Sequence, residues 1–386
     1  MGNSPARITF HDLLPAQPSM LAEIIAGLSQ QQKRIAPKYF YDPRGCELFD
    51  AICGLPEYYP TRTELAIMRL NARAMAGRLG PACALIEIGC GNSEKTRLLL
   101  EALRPKIFVP VDIAREQLES SCNALTRLLP GMPILALRAD FAQPIAMPLT
   151  GLGQARRRAL YFPGSTIGNF TRPEAAAFLA RWAPLLGAGG GALIGVDLRK
   201  DDALLNAAYN DAQGVTAEFN LNVLRHINHA LGADFDLAAF RHRAYYNGEQ
   251  GRIEMHLVSL RPQRVTIRGH EFEFCAGETI HTENSCKYTV AEFQSLARQH
   301  DFIGVVLFIP TSDAVKLQQR NGTYDYSDYI ARVRARGDLD RLRVVNIIER
   351  PFDHEKFNLR PFSFHASPYG NKIIAGAVNK AIKDRL

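Results

Sequence analysis

The chain reads as an α/β protein, a parallel sheet with crossover helices, to which a second α+β piece is attached. Three observations predict this. Between about residues 84 and 198, apolar strand-like runs at 84–88, 107–112, 134–139, 159–163 and 191–197 alternate with helical stretches, the pattern of strand–crossover–strand units. The first of these runs passes straight into a glycine-paired turn and a helix start. Residues 200–285 then break the alternation, with a helical half (200–240) ahead of strand-like runs at 252–260, 264–268 and 271–275. At 386 residues the chain is longer than one hydrophobic core usually organises, so two domains are expected.

Taken in order, residues 1–20 carry Pro5, Pro15 and Pro18 and read as loosely structured, and Met20 to Leu28 has helical spacing. The segment from Pro37 to Asp50 follows. Residues 55–64, Leu-Pro-Glu-Tyr-Tyr-Pro-Thr-Arg-Thr-Glu, form a turn-rich aromatic patch leading into a helix capped at Thr61 or Thr63. Its tyrosines fit either an aromatic cluster over the edge of the core or a lid over a substrate. After the α+β piece, a helix at 289–299 and a strand near 303–309 resume the earlier pattern.

Residues 84–96, Ala-Leu-Ile-Glu-Ile-Gly-Cys-Gly-Asn-Ser-Glu-Lys-Thr, are the most informative stretch. Gly89 and Gly91 let backbone N–H groups approach a ligand, and the helix that follows adds the positive end of its dipole. A dinucleotide fingerprint places a third glycine three residues after the second, yet position 94 is Glu. A carboxylate there repels a pyrophosphate. A ligand with an adenosine and a zwitterionic part fits better, and S-adenosylmethionine is such a ligand. Asp112 ends the next strand 21 residues after Gly91 (112 − 91), where a carboxylate can accept both ribose hydroxyls. Asp140 and Phe141 end the third run and are candidates for the adenine. The loop from Pro163 to Phe170 falls at the same edge.

Composition narrows the function. Apolar content of 47% and charged content of 22% are those of a globular protein. No apolar run reaches membrane-spanning length and no signal peptide is evident, so a cytoplasmic protein without membrane association is expected. The cysteines, Cys46, Cys53, Cys83, Cys90, Cys122, Cys275 and Cys286, form no C-x-x-C pair, and His226 and His229 lack companion ligands, so neither a disulfide framework nor a metal is expected. Basic charge concentrates in the tail, where residues 316–386 hold 14 Lys and Arg against 8 Asp and Glu. Asp338 and Asp340 interrupt Arg332, Arg334, Arg336, Arg341 and Arg343, which reads as a solvated face; no nucleic acid is expected.

Seven segments together resemble the histidine-specific Nα-methyltransferases of ergothioneine biosynthesis. They are Phe40-Tyr41-Asp42 with Gly45 and Leu48-Phe49-Asp50; residues 55–62; Glu87-Ile-Gly-Cys-Gly with Ser93-Glu94-Lys95-Thr96; Gly-Ser-Thr-Ile-Gly-Asn at 164–169; Gly-Val-Thr-Ala-Glu-Phe-Asn at 214–220; Arg-Ile-Glu-Met at 252–255; and Thr-Glu-Asn-Ser-Cys-Lys at 282–287. The match runs in order over roughly residues 10–300. It implies a class I methyltransferase (Rossmann-like) domain over 63–199 plus 287–310, a discontinuous substrate-binding domain over 10–62 plus 200–286, and a basic extension over 311–386. It also implies S-adenosylmethionine as cofactor and L-histidine as the small-molecule substrate, methylated three times, by a protein expected to be a monomer.

Carried over by matching motif, Tyr41 and Asn169 would be catalytic, and Phe49, Tyr58, Gly164, Tyr209, Met255, Glu283 and Ser285 would line the amino-acid site. Gly89, Gly91, Lys95, Asp112, Asp140 and Phe141 would hold the cofactor. The residue types suit the chemistry. Tyr58 and Tyr209 offer hydroxyls to a carboxylate and Asn169 an amide to the amine or carboxylate. Glu283 and Ser285, two apart on one strand face, can meet the two nitrogens of an imidazole. Tyr41, directly or through a water, can help remove the amine proton, and its ring with Phe49 can stabilise the growing methylammonium. Taken singly, the turn at 164–169 reads as an N-cap, Met255 as core and Glu283 as a surface strand residue.

From about residue 303 the resemblance ends. Family members close the sheet with a final hairpin after a Trp-containing stretch, whereas Trp182 is the only tryptophan here. Residues 303–309 are expected at one sheet edge and 344–348 as a replacement for the other. Two rival readings remain open: the same fold acting on another amino acid or amine, and a binding protein with a decayed site.

Overall fold

The computed structural model describes residues 8–14, 20–90, 94–148, 152, 155, 157–187, 189–299 and, for the backbone, 305–309. Gly91, the 344–348 run and the basic extension lie outside the described residues.

The chain opens with strand β1 (Ile8–Asp12), then helices α1 (Met20–Leu28), α2 (Pro43–Gly54) and α3 (Tyr59–Leu79). Strands β2 (Ala84–Ile88), β3 (Ile107–Asp112), β4 (Ile134–Arg138), β5 (Arg158–Phe162) and β6 (Gly191–Asp197) follow, with α4 (Glu94–Leu103), α5 (Arg115–Leu128) and α6 (Arg172–Leu186) between them. Helices α7 (Asp202–Ala207) and α8 (Val215–Leu231) lead into β7 (Phe240–Asn247), β8 (Arg252–Ser259), β9 (Gln263–Ile267), β10 (His270–Phe274) and β11 (Thr279–Cys286). Helix α9 (Val290–Arg298) and strand β12 (Val305–Ile309) end the described chain.

The large sheet runs β1-β4-β3-β2-β5-β6-β12, and every pairing in it is parallel. Its central strands are buried on both faces, which is why they read as unbroken apolar runs. Alternate residues serve opposite faces. Ile86, Val109 and Leu160 enter one core with Phe178 and Trp182 of α6, whereas Leu85, Phe108 and Tyr161 enter another with Met68 of α3 and Leu99 of α4. This is the expected α/β sheet with crossover helices, a class I methyltransferase architecture.

A third core joins α1, α2, α8 and the smaller sheets, β11-β8-β7 and β10-β9, and includes Ile24, Phe40, Leu48, Phe219, Ile253 and Ile280. Phe40 stacks on Phe219 with centroids 4.6 Å apart. Asp42 caps α2 by accepting from Gly45 N at 2.7 Å and also accepts from Asn222 of α8 at 2.7 Å. The N-terminal and central segments of this lobe are thereby pinned together.

Several expectations need correcting. Residues 8–12 are not loose but form β1, paired in register with β4 from Ile8↔Ile134 to Asp12↔Arg138. They belong to the large sheet, so residues 10–12 do not share the substrate-side core. Among the described residues, β1 stands at one edge of the sheet, and 305–309 pairs with β6 at the other as expected. Helix α3 starts at Tyr59, ahead of the expected cap at Thr61 or Thr63, because Pro60 suits the first helical turn. Strands β7 and β11 escape notice because charged and polar residues dominate them.

Candidate active site

At the carboxyl ends of β2, β3 and β4 stand Gly89, Asp112 and Asp140, expected to hold a cofactor. Gly89 follows β2 with φ of +70°, a conformation that favours glycine, and a side chain added there would point into open space. Its N–H bonds to the Val111 carbonyl at 2.9 Å, tying the turn to β3. One Asp112 oxygen accepts from Ala114 N at 2.9 Å. Burial pushes this carboxyl up to about 6, partly offset by the backbone N–H groups of Ala114 and Ile113. Asp140 accepts from Ala142 N at 2.9 Å and lies 3.3 Å from the Lys38 ammonium, which also pairs with Glu23 at 2.8 Å. Phe141 packs edge-on against Phe162 and Phe170 at 5.8 and 6.3 Å. An open glycine turn, an acid with no cationic partner among the described residues and an aromatic beside a braced aspartate suit an adenosine.

Beneath the turn, buried Glu87 accepts from Thr96 at 2.6 Å, and burial pushes its carboxyl up to about 8. Lys95, expected at the cofactor, has a partner within the protein. Its ammonium lies 2.5 Å from Glu64, whose oxygens also accept from Gly164 N at 2.9 Å. Through Glu64, α3, the start of α4 and the loop after β5 are joined.

That loop continues as a single 3-10 turn, Thr166–Asn169, which presents Asn169. Gly168 lies so close to β11 that an added Cβ would sit 2.9 Å from the Cys286 carbonyl oxygen. Ser165 adopts φ of +57°, a conformation costing a non-glycine residue of order 1 kcal/mol. Its hydroxyl accepts from Asp197 N at 2.9 Å.

Asp197, fully buried at the end of β6, is the hub of a network. Lys287 lies 2.9 Å away, Lys200 pairs with it, and the Tyr59 hydroxyl donates to it at 2.6 Å. Burial works to raise this carboxyl, but Lys287 and Lys200 hold it below the usual range. Burial pulls Lys200 down to about 8 against the pull of Asp197. Lys287 also donates to Ser285 Oγ at 2.8 Å and to the Tyr209 hydroxyl at 3.3 Å, and Tyr209 donates to Ser285 at 2.7 Å. These links connect the large sheet directly to β11.

Opposite this network stands an aromatic wall. Tyr41, at the end of the turn before α2, contacts Phe49 and Phe219 at 5.8 and 6.1 Å between centroids, Phe49 contacts Tyr58 at 6.4 Å, and Tyr58 contacts Tyr209 at 6.2 Å. Glu283 sits on β11 opposite Met255 of β8, just past an irregularity in the register. Burial pushes the Glu283 carboxyl up to about 7, and Lys287 partly offsets this. Burial, then Glu283, holds the Tyr41 hydroxyl well above its ordinary value. The raised hydroxyl favours its protonated, hydrogen-bonding form.

The structure thus brings Tyr41, Phe49, Tyr58, Tyr209, Met255, Glu283 and Ser285 to one lobe surface, with the Gly164–Asn169 turn packed on it and Gly89, Asp112, Asp140 and Phe141 at the neighbouring sheet edge. Sequence reasoning missed Tyr59, Glu64, Asp197, Lys200 and Lys287. Asp197 carries the same signal as Asp112, an acid ending an apolar run.

No metal was expected, yet the described residues bring Glu254, His256 and His281 together with candidate ligand atoms within 4.8 Å of one another. Glu254 is already engaged by Tyr245, Asn247, Arg252 and His256 at 2.8 to 3.2 Å. Its saturation by hydrogen-bond donors, one of them a guanidinium, fits a polar clamp across β7, β8 and β11 better than a cation site. In sequence alternation it faces away from Met255.

No helix among the described residues is long and apolar enough to cross a membrane. A family model described as histidine-specific methyltransferase, SAM-dependent, matches residues 20–318. A histidine N-alpha-methyltransferase of Mycolicibacterium smegmatis is 43% identical over 280 residues, covering 71% of this chain and 85% of that protein. A protein of the same name from Mycobacterium tuberculosis is 44% identical over 272 residues, covering 69% and 83%. Ergothioneine biosynthesis protein 1 of Neurospora crassa is 31% identical over 276 residues, which cover 66% of this chain and 30% of that protein.

Proposed function

The chain belongs to the histidine-specific, S-adenosylmethionine-dependent methyltransferase family, and from that premise we propose how its own residues carry out transfer to the α-amine of L-histidine, three times in succession, to give the trimethyl betaine hercynine. The carrying observation is Glu283. It is an acid on an otherwise aromatic and hydroxyl-lined surface, with Ser285 two residues along the same strand. Glu283 accepts one imidazole N–H and Ser285 meets the other nitrogen, while Met255 and Phe49 fill the space beside the ring. Tyr58 donates to the carboxylate, Tyr209 lines the same space while giving its own proton to Ser285, and Asn169 holds the amine or carboxylate from the turn seated on β11.

On the cofactor side, Asp112 accepts the ribose hydroxyls, Asp140 the adenine amino group, and Phe141 borders the ring. Gly89 gives backbone access. The bound cofactor supplies an electrophilic methyl group on a sulfonium. The protein's task is then to hold a deprotonated amine in line with that group, so positioning supplies most of the rate. Tyr41 and Phe49 form the wall behind the amine, where their rings stabilise the methylammonium as its charge grows.

The free cysteines, one of them exposed Cys275, suit a reducing cytoplasm. Mass spectrometry of products from histidine with S-adenosylmethionine tests the reading. Mono-, di- and trimethylated histidine are expected in sequence; incorporation into another amino acid but not histidine overturns it.

A further inference from the structure

No sequence argument singles out Lys287, yet it is almost fully buried and donates to the hydroxyls of Tyr209 and Ser285. Burial pulls its ammonium down, but Asp197 and Tyr209 more than offset this and keep it protonated above the usual lysine range. An ammonium has three N–H donors and no acceptor. All three are committed, to Asp197 at 2.9 Å, Ser285 at 2.8 Å and Tyr209 at 3.3 Å.

This commitment fixes the polarity of Ser285. Its oxygen has two acceptor positions. Lys287 fills one and the Tyr209 hydroxyl, 2.7 Å away, fills the other. The serine proton is left to point outward. A ring nitrogen facing Ser285 must then carry a lone pair, while the other nitrogen donates its N–H to Glu283. An imidazolium, with two N–H donors, would meet a saturated hydroxyl with a fixed positive charge behind it.

We infer that Lys287 is a positioning residue that makes the site accept the neutral imidazole in one tautomer and reject the imidazolium. The inference rests on the proposed placement of the histidine ring between Glu283 and Ser285. Free histidine titrates near neutrality, so this choice falls inside the working pH range.

The test uses the full chain with S-adenosylhomocysteine and ring-15N-labelled histidine, read by NMR at about pH 7 and about pH 6. The wild type is expected to show one protonated and one unprotonated ring nitrogen at both values. Lys287→Met is expected to bind histidine about tenfold more weakly and to let the ring become imidazolium at the lower pH, with S-adenosylhomocysteine affinity by calorimetry unchanged. Imidazolium bound to the wild type overturns the inference, as does a Lys287→Met spectrum and affinity identical to wild type. If the variant fails to bind S-adenosylhomocysteine and so has not folded, the wild-type spectrum decides alone. Failure of labelled histidine to bind at all overturns the acceptor reading itself, a result distinguishable because no ring signal shifts.

Discussion

Asp112 and Asp197 end two strands of the same parallel sheet, and burial acts on both in the same direction. Their environments then diverge. Among the described residues Asp112 is supported by backbone N–H groups, and its carboxyl is pushed up to about 6. Asp197 has two lysines and a tyrosine hydroxyl, and it is held below the usual carboxylate range. The same residue at the same place in two strands is thus in one case a group whose partner must come from outside and in the other a group whose partners are built in. A carboxylate left short of partners marks a ligand position, whereas a satisfied one marks architecture.

Substitutions can break or sharpen this contrast. The largest effect is expected for Asp197→Asn, which strands two buried lysines and should cost about 3–5 kcal/mol of stability, read by urea unfolding. A variant as stable as wild type would remove the distinction. Next, Glu283→Ala should lower kcat/KM for histidine by roughly 100-fold, the loss of a charged hydrogen bond, while cofactor affinity by calorimetry is unchanged. A parallel loss of cofactor binding would place Glu283 with Asp197 as architecture.

Asp112→Asn should weaken cofactor binding about tenfold while leaving stability equal to wild type or above it. A stability loss comparable with that at 197 would collapse the comparison. The smallest effect concerns Glu283 and pH. Its folded-state carboxyl stands above its unfolded value, at about 7. At low pH both states are protonated and no penalty exists; the penalty grows as pH rises and is complete above about 7. Glu283→Gln should therefore raise Tm by about 2–4 °C at pH 8 and by almost nothing near pH 4. An equal gain at both values would show that ionisation of Glu283 is not the source.

The comparison also explains what the sequence revealed. Asp112 and Asp140 were legible because a strand end beside a glycine turn is a local pattern, read from a dozen residues. The pairing of Asp197 with Lys287 is not local. The two lie 90 positions apart (287 − 197), and nothing near either announces the other. The same reasoning covers Lys95, whose neighbourhood in sequence suggests a cofactor contact but whose partner, Glu64, comes from the preceding helix. Strand β1 was hidden because five residues flanked by proline-rich sequence give little periodicity. Strands β7 and β11 were hidden because their polar residues carry the site and its clamp. Site chemistry obscured the very strands that hold it.

Gly168 rests on the β11 backbone, where an added methyl group would meet the Cys286 carbonyl oxygen at 2.9 Å. This contact has a consequence for redesign. The turn bearing Asn169 and the strand bearing Glu283 and Ser285 form a common seam, so altering the ring pocket at residues 285–287 would also displace the turn that aims the amine. The ring pocket and the aim of the amine would therefore have to be redesigned together.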